Sequence, residues 1–137
     1  MAYWLLKSEP FKYSWTQMVA DGRIHWDGVR NHQAAANLEA MQVGDRAFFY
    51  HSNEGKEIVG VVEIARTAYP DPSDETGRFV MVDITPLMAV PTPVTLSAIK
   101  ADPRLSDFAL VRQSRLSVVP VRDGEWAMLC AMAGVSA

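Results

Sequence analysis

The sequence predicts an α+β fold, a small mixed β-barrel of about five to six strands flanked by short helices. Three observations predict it. Runs rich in β-branched and aromatic residues follow one another without regular strand–helix alternation, which argues against a doubly wound parallel sheet. Helical segments are short, carry their own capping residues and occur singly between strands. The 137 residues, 49% hydrophobic and 21% charged, suit one domain with a real core.

Taken in order, Tyr3–Lys7 is an aromatic-rich first strand stopped by Ser8-Glu9-Pro10. Ser14 followed by Gln17 fits a capping box, and Asp21-Gly22 supplies a stop, so a helix of about two turns lies between them. Trp26 begins a loop. Asn31 is a candidate N-cap for the helix holding Ala34, Ala35, Leu38 and Met41. Gly44-Asp45 turns the chain into a strand over Ala47–Ser52, and Asn53-Glu54-Gly55 makes a hairpin turn. Glu57–Ala68 and Phe79–Val90 read as two long strands joined by the proline-punctuated loop Tyr69 to Gly77. Thr95 caps a short helix through Lys100 that ends at Asp102-Pro103. Leu116–Val121 is the last strand, and Asp123 caps a closing helix from Gly124 to Met132.

The totals exclude several classes. A formal net charge of −3 rules out a polycationic coat, so nucleic-acid binding would need a local basic face. Arg104, Arg112, Arg115 and Arg122, set against the single acid Asp107, are one candidate, with an ordinary solvated face as the alternative. The single cysteine, Cys130, lies in an apolar run at helical spacing and reads as core; no disulfide can form within the chain, which points to the cytoplasm. No apolar run approaches the length of a membrane span. His25, His32 and His51 lack helical-pair spacing and no second thiol exists, so no metal is expected. Walker, dinucleotide and nucleophile-elbow patterns are absent, and no cofactor is expected.

Four constellations carry chemistry. Lys7-Ser8-Glu9 closes the first strand; in extended chain Lys7 and Glu9 share one face and Ser8 takes the other. The trio serves either as a satisfied strand end, as a binding rim, or as acid–base machinery. Trp26 through Asn31 combines a stacking surface, a permissive Gly28, Arg30 and an amide with both donor and acceptor, the pairing a nucleobase edge requires. A Trp26 that plugs the core and an Asn31 that only caps its helix are the alternatives. His51 and Ser52 end an apolar strand at a barrel mouth or simply at solvent. Arg115, with Ser117 two residues on, is a phosphate contact or part of a plain strand.

Tyr3-Trp-Leu-Leu-Lys-Ser-Glu-Pro10, Trp26-Asp-Gly-Val-Arg-Asn31, Gly44-Asp45 with Tyr50-His-Ser52, Tyr69-Pro-Asp-Pro72 and Arg115-Leu-Ser-Val118 occur in that order. Together they resemble the EVE domain family over nearly the whole chain. The resemblance implies a PUA-like fold forming a single domain over residues 1–137, related to the YTH domains that read methylated adenine in RNA. It implies non-enzymatic binding of a modified nucleobase, modified cytosine above all, flipped out of nucleic acid into an aromatic-lined pocket, with DNA favoured over RNA. Carried onto this sequence, it makes Trp26 the stacking wall. Lys7, Ser8, Asn31, His51 and Ser52 become polar contacts to the base, Tyr69, Pro70 and Asp71 another side, and Arg30 and Arg115 phosphate contacts. One departure stands out: Ala35 occupies a position where the family often has arginine, which removes one possible phosphate contact. The alternative function is hydrolysis of a modified nucleoside or base, since related ASCH proteins perform amidohydrolase chemistry with a lysine and a glutamate, as Lys7 and Glu9 suggest.

Overall fold

A computed structural model describes residues 1–136. Six strands form one mixed sheet in the order β2-β5-β4-β3-β1-β6. They are β1 (Tyr3–Ser8), β2 (Ile24–Trp26), β3 (Arg46–His51), β4 (Glu57–Pro70), β5 (Val80–Thr95) and β6 (Val118–Val121). Among the described residues four α-helices lie between the strands, α1 (Trp15–Asp21), α2 (His32–Ala40), α3 (Leu96–Ala101) and α4 (Ala109–Arg112), and α5 (Asp123–Ala133) follows the last of them. β1 lies parallel to β3 and antiparallel to β6, while β3, β4 and β5 form an antiparallel meander. The α+β class is as expected, but the sheet is not hydrogen-bonded into a ring. Among the described residues β2 and β6 are its two edges. β2 is only three residues long and β6 contains Pro120, which has no N–H to offer, so neither edge presents a long ladder.

The expected caps are present. Ser14 accepts from the Gln17 amide at 3.1 Å, Asn31 from Ala34 at 2.9 Å and Thr95 from Ala98 at 3.1 Å. The closing helix begins one residue earlier than expected, and Arg122 rather than Asp123 precedes it, with Glu125 accepting from the Arg122 amide at 2.9 Å. Ile24–Trp26 is a strand where a loop is expected, because its pairing with Val82–Ile84 comes from a distant part of the chain.

The core lies on both sides of β1 and β3, where Leu5, Leu6, Phe48 and Phe49 are fully buried. α5 closes one side through Trp126, which stacks on Phe48 at 4.0 Å and on Tyr3 at 4.3 Å. Buried Asp45 ties the start of β1 to the turn before β3 by accepting from Ala2, from the Trp4 indole and from Gln42. On β4, Gly60 lies under the Trp15 ring, and a Cβ there would come within 2.4 Å of it. Gly60→Ala should therefore displace Trp15 and lower the melting temperature by roughly 5–10 °C in a calorimetric scan.

Candidate nucleic-acid interface

Phe49 organises the first cavity. Buried on β3, it meets Tyr13 at 6.5 Å, Trp15 at 5.4 Å, Trp26 at 5.8 Å and His51 at 5.8 Å between ring centres. Trp26 meets it edge-on, at 81° between the ring planes, which leaves the indole half-buried. Beside it opens a cavity of about 560 Å³, lined by Trp26, Tyr13, Ser8, Arg23, His25 and the aspartates 21 and 27. That is ample for one flat ring.

Most polar groups of this wall are already held. Ser8 donates to the Tyr13 carbonyl. Asp21 accepts from the Tyr13 hydroxyl at 2.8 Å and from Gln17 at 2.7 Å. Burial, and after it the bond to Asp21, pushes the Tyr13 phenol above its ordinary range, so it stays a neutral donor. Arg23 bonds Asp83 at 2.9 and 3.2 Å, and the Tyr69 hydroxyl donates to the same carboxylate. Burial raises the Asp83 carboxyl, but Tyr69 and Arg23 outweigh that and keep it ionised. Asp27 accepts no side-chain bond among the described residues and is exposed.

His51 works from behind. Its Nε2 accepts from the Trp15 amide at 3.0 Å, which requires a neutral ring. Burial lowers its pKa, and nearby Glu57 opposes this only in part. A group whose folded pKa is depressed below its unfolded value near 6.5 contributes stability above that value and loses it as pH falls. Denaturant melts should therefore show stability falling as pH drops from about 7 to about 5. The slope should flatten in His51→Gln, whose amide accepts without titrating.

The residues expected around a single base lie in more than one place. Asp71 is fully buried and accepts from Gly28 N at 2.8 Å, Arg30 at 3.1 Å and Ser73 through both its amide and hydroxyl at 2.8 and 2.6 Å. Burial alone pushes its carboxyl up, but these donors outweigh it and hold it well below the usual carboxylate range. It is a latch between the β2–α2 and β4–β5 loops. Arg30, expected at phosphate, is engaged by that latch and by Ser73 at 2.9 Å, with its guanidinium 5.5 Å from the Phe79 ring centre. Tyr69 and Pro70 end β4; the Tyr69 ring carries the Arg66 guanidinium at 3.6 Å, and Pro70 is exposed opposite Val80. Asn31 gives its oxygen to the helix cap and borders a smaller hollow with Gln33 and residues 112–116. Ala35 is buried, so its position faces the core side of α2.

Lys7, Ser52 and Arg115 line a second cavity of about 620 Å³. Lys7 and Glu9 open onto it while Ser8 opens onto the first, as strand alternation demands. Lys7 donates to the Ser114 carbonyl at 2.8 Å, and burial lowers its pKa. Lys56 and Lys100 join it there. In the basic stretch two arginines are neutralised, Arg104 by Asp102 at 2.7 Å and Arg112 by Asp107 at 2.9 Å. The sequence reading thus found Trp26 and Ser8 for the first cavity but not Tyr13, Arg23 or Asp27. Tyr13 precedes a recognisable cap, and Asp27 follows Trp26; Arg23 is fixed only by Asp83, sixty residues away.

Among the described residues no group of three or more His, Cys, Asp or Glu is placed to hold a metal ion, and no helix is long and apolar enough to cross a membrane. Cys130 is buried, and burial pushes its thiol up.

The EVE domain pattern matches residues 2–132. This chain belongs to the EVE domain family. Thymocyte nuclear protein 1 of Gallus gallus is 34% identical over 158 residues, covering 90% of this chain; the chain spans 65% of that relative's length. The solved structure of Rpa0253 from Rhodopseudomonas palustris is 59% identical, with a TM-score of 0.93 over 98% of this chain and 94% of that one. The human THYN1 protein, solved in complex with DNA containing 5-methylcytosine, is 29% identical with a TM-score of 0.91 and covers 100% of both chains. An ASCH protein from Zymomonas mobilis, at 10% identity and a TM-score of 0.58, shares the fold alone.

Proposed function

We propose that this EVE domain is a non-enzymatic reader of a modified base in nucleic acid, modified cytosine in DNA above all, working in the cytoplasm. The carrying observation is the Trp26 cavity in a chain that aligns end to end with a human relative solved on 5-methylcytosine DNA. The base leaves its stack and lies against Trp26, with Ser8 behind it and Asp27 at the rim as the free acceptor for an exocyclic amine. Extraction from a duplex costs a few kcal/mol, and aromatic stacking of about 1–3 kcal/mol offsets much of it. Arg115 is the phosphate contact we retain; Arg30 acts through the loop latch. With net charge −3, affinity for unmodified duplex should be weak.

The test is a binding screen against oligonucleotides that differ only in one base: cytosine, 5-methylcytosine, 5-hydroxymethylcytosine and N6-methyladenine. Preference for a modified cytosine supports the reading, and equal affinity for all four overturns it. One observation favours a second reading, hydrolysis of an acylated cytidine: Lys7 and Glu9 share a cavity, and burial lowers the lysine's pKa. Product release from N4-acetylcytidine, lost in Lys7→Ala, would establish that reading.

A further inference from the structure

The second cavity collects positive charge from four separate parts of the fold. Lys7 comes from β1, Lys56 from the β3–β4 hairpin, Lys100 from α3 and Arg115 from the segment before β6. Among the described residues none of the four is salt-bridged to a carboxylate, whereas Arg23, Arg30, Arg104 and Arg112 all are. The only acid on the lining is Glu9, and Lys12 engages it at 3.3 Å.

This convergence is built into the fold. The Lys56 carbonyl accepts from the Leu96 amide at 2.8 Å, which pins the hairpin tip against the first turn of α3, and Lys100 lies one turn further along that helix. Lys56 sits at φ 46°, a left-handed conformation that a lysine rarely adopts and that the tight hairpin imposes. The Lys7 amide is tied to the Ser117 carbonyl at 3.0 Å, which brings the Arg115 segment to the end of β1. Gathering like charges around one concavity is unfavourable unless an anion fills it. Hydroxyls of Tyr50, Ser52 and Ser117 on the same lining add neutral donors.

We propose that this cavity is a separate binding site for a phosphate monoester, either the terminal phosphate of a nucleic-acid strand or that of a free nucleotide. A monoester suits it better than a backbone diester. It carries about −1.5 to −2 charge near neutral pH and three acceptor oxygens, which match the four cations and the hydroxyls of the lining better than the single charge of a diester. The site lies across β1 from the Trp26 cavity, with Lys7 facing one and Ser8 the other, so it stands whichever base is read there.

The test uses the whole protein, inorganic phosphate and a charge-removing double variant, Lys56→Gln with Lys100→Gln, both exposed positions whose change should leave the fold intact. Titrated with phosphate, the wild type should shift the amide resonances of Lys7, Lys56, Lys100 and Arg115. Trp26→Ala should do the same, and the double variant should bind at least about tenfold more weakly. A 5′-phosphorylated oligonucleotide that outbinds its 5′-hydroxyl twin by a margin lost in the double variant assigns the strand end. A mononucleotide that binds while the two oligonucleotides bind alike assigns the free nucleotide. Absence of those shifts, or equal phosphate affinity in the double variant, overturns the proposal. Because Trp26→Ala removes the base wall and spares these cations, failure of this site and failure of base reading give different results.

Discussion

Trp26→Ala should reduce binding to a modified-base oligonucleotide by about tenfold to a hundredfold, and to undetectable levels where wild-type affinity is modest. The indole lines the first cavity and is the stacking wall we propose, and no other side chain on that lining offers a comparable flat face apart from the partly committed Tyr13 ring. Since Trp26 also meets Phe49 edge-on, some stability is lost with it. Trp26→Phe separates the two effects: it keeps a ring against Phe49 and should retain part of the affinity. Isothermal titration with both variants checks this, with melting curves to show that each is folded. Wild-type affinity in a folded Trp26→Ala protein would contradict the assignment.

Asp71→Ala should cost about 3 kcal/mol of stability, roughly 10 °C in melting temperature, and loosen the β2–α2 loop. The carboxylate has four donors and is fully buried, so its removal strands the Gly28 amide and the Arg30 guanidinium together. Asp71→Asn keeps an acceptor but loses the charge, and its deficit should be smaller. The sign with pH follows from the depressed pKa. The latch is intact above about pH 4, the ordinary carboxylate value, and fails only as pH falls through the lower folded value. Thermal melts of the three proteins at neutral pH give the ranking directly, and base binding should fall with loop order even though Asp71 lines no part of the Trp26 cavity.

Much of the fold was legible because its signals are local. Ser14, Asn31 and Thr95 announce their helices through short polar side chains, and all three cap as read. β1, β3 and β4 are strands rich in β-branched and aromatic residues, and they formed where expected, within two residues at their ends. β5 was underestimated. It runs on to Thr95 through Pro91 and Pro93, which ordinarily end a strand. Among the described residues only β4 pairs with it beyond Ile84, so its other edge there carries no ladder and a missing N–H costs little. β2 was invisible for the opposite reason: three residues hold too little pattern, and a partner nearly sixty residues away forms the strand.

The site was legible as composition and not as geometry. Lys7, Ser8 and His51 lie together at the ends of β1 and β3, with Ser52 next in the chain, yet alternation along β1 sends Ser8 to one cavity and Lys7 to another. His51 and Asp71 sit behind the surface they were expected to form, one holding α1 and the other holding the loops. Which side chains face a ligand and which brace those that do depends on contacts made across the fold, and a linear pattern of polar residues does not distinguish the two.

The most direct measurement is nitrogen–proton NMR of the four tryptophan indoles during titration with oligonucleotides. Trp4 and Trp126 are buried in the core, so they serve as internal references. An oligonucleotide with one 5-methylcytosine should shift the Trp26 indole strongly and Trp15 slightly, while the cytosine twin at the same concentration shifts neither. A saturating 5-methylcytosine titration that leaves the Trp26 resonance unmoved would contradict base reading at Trp26.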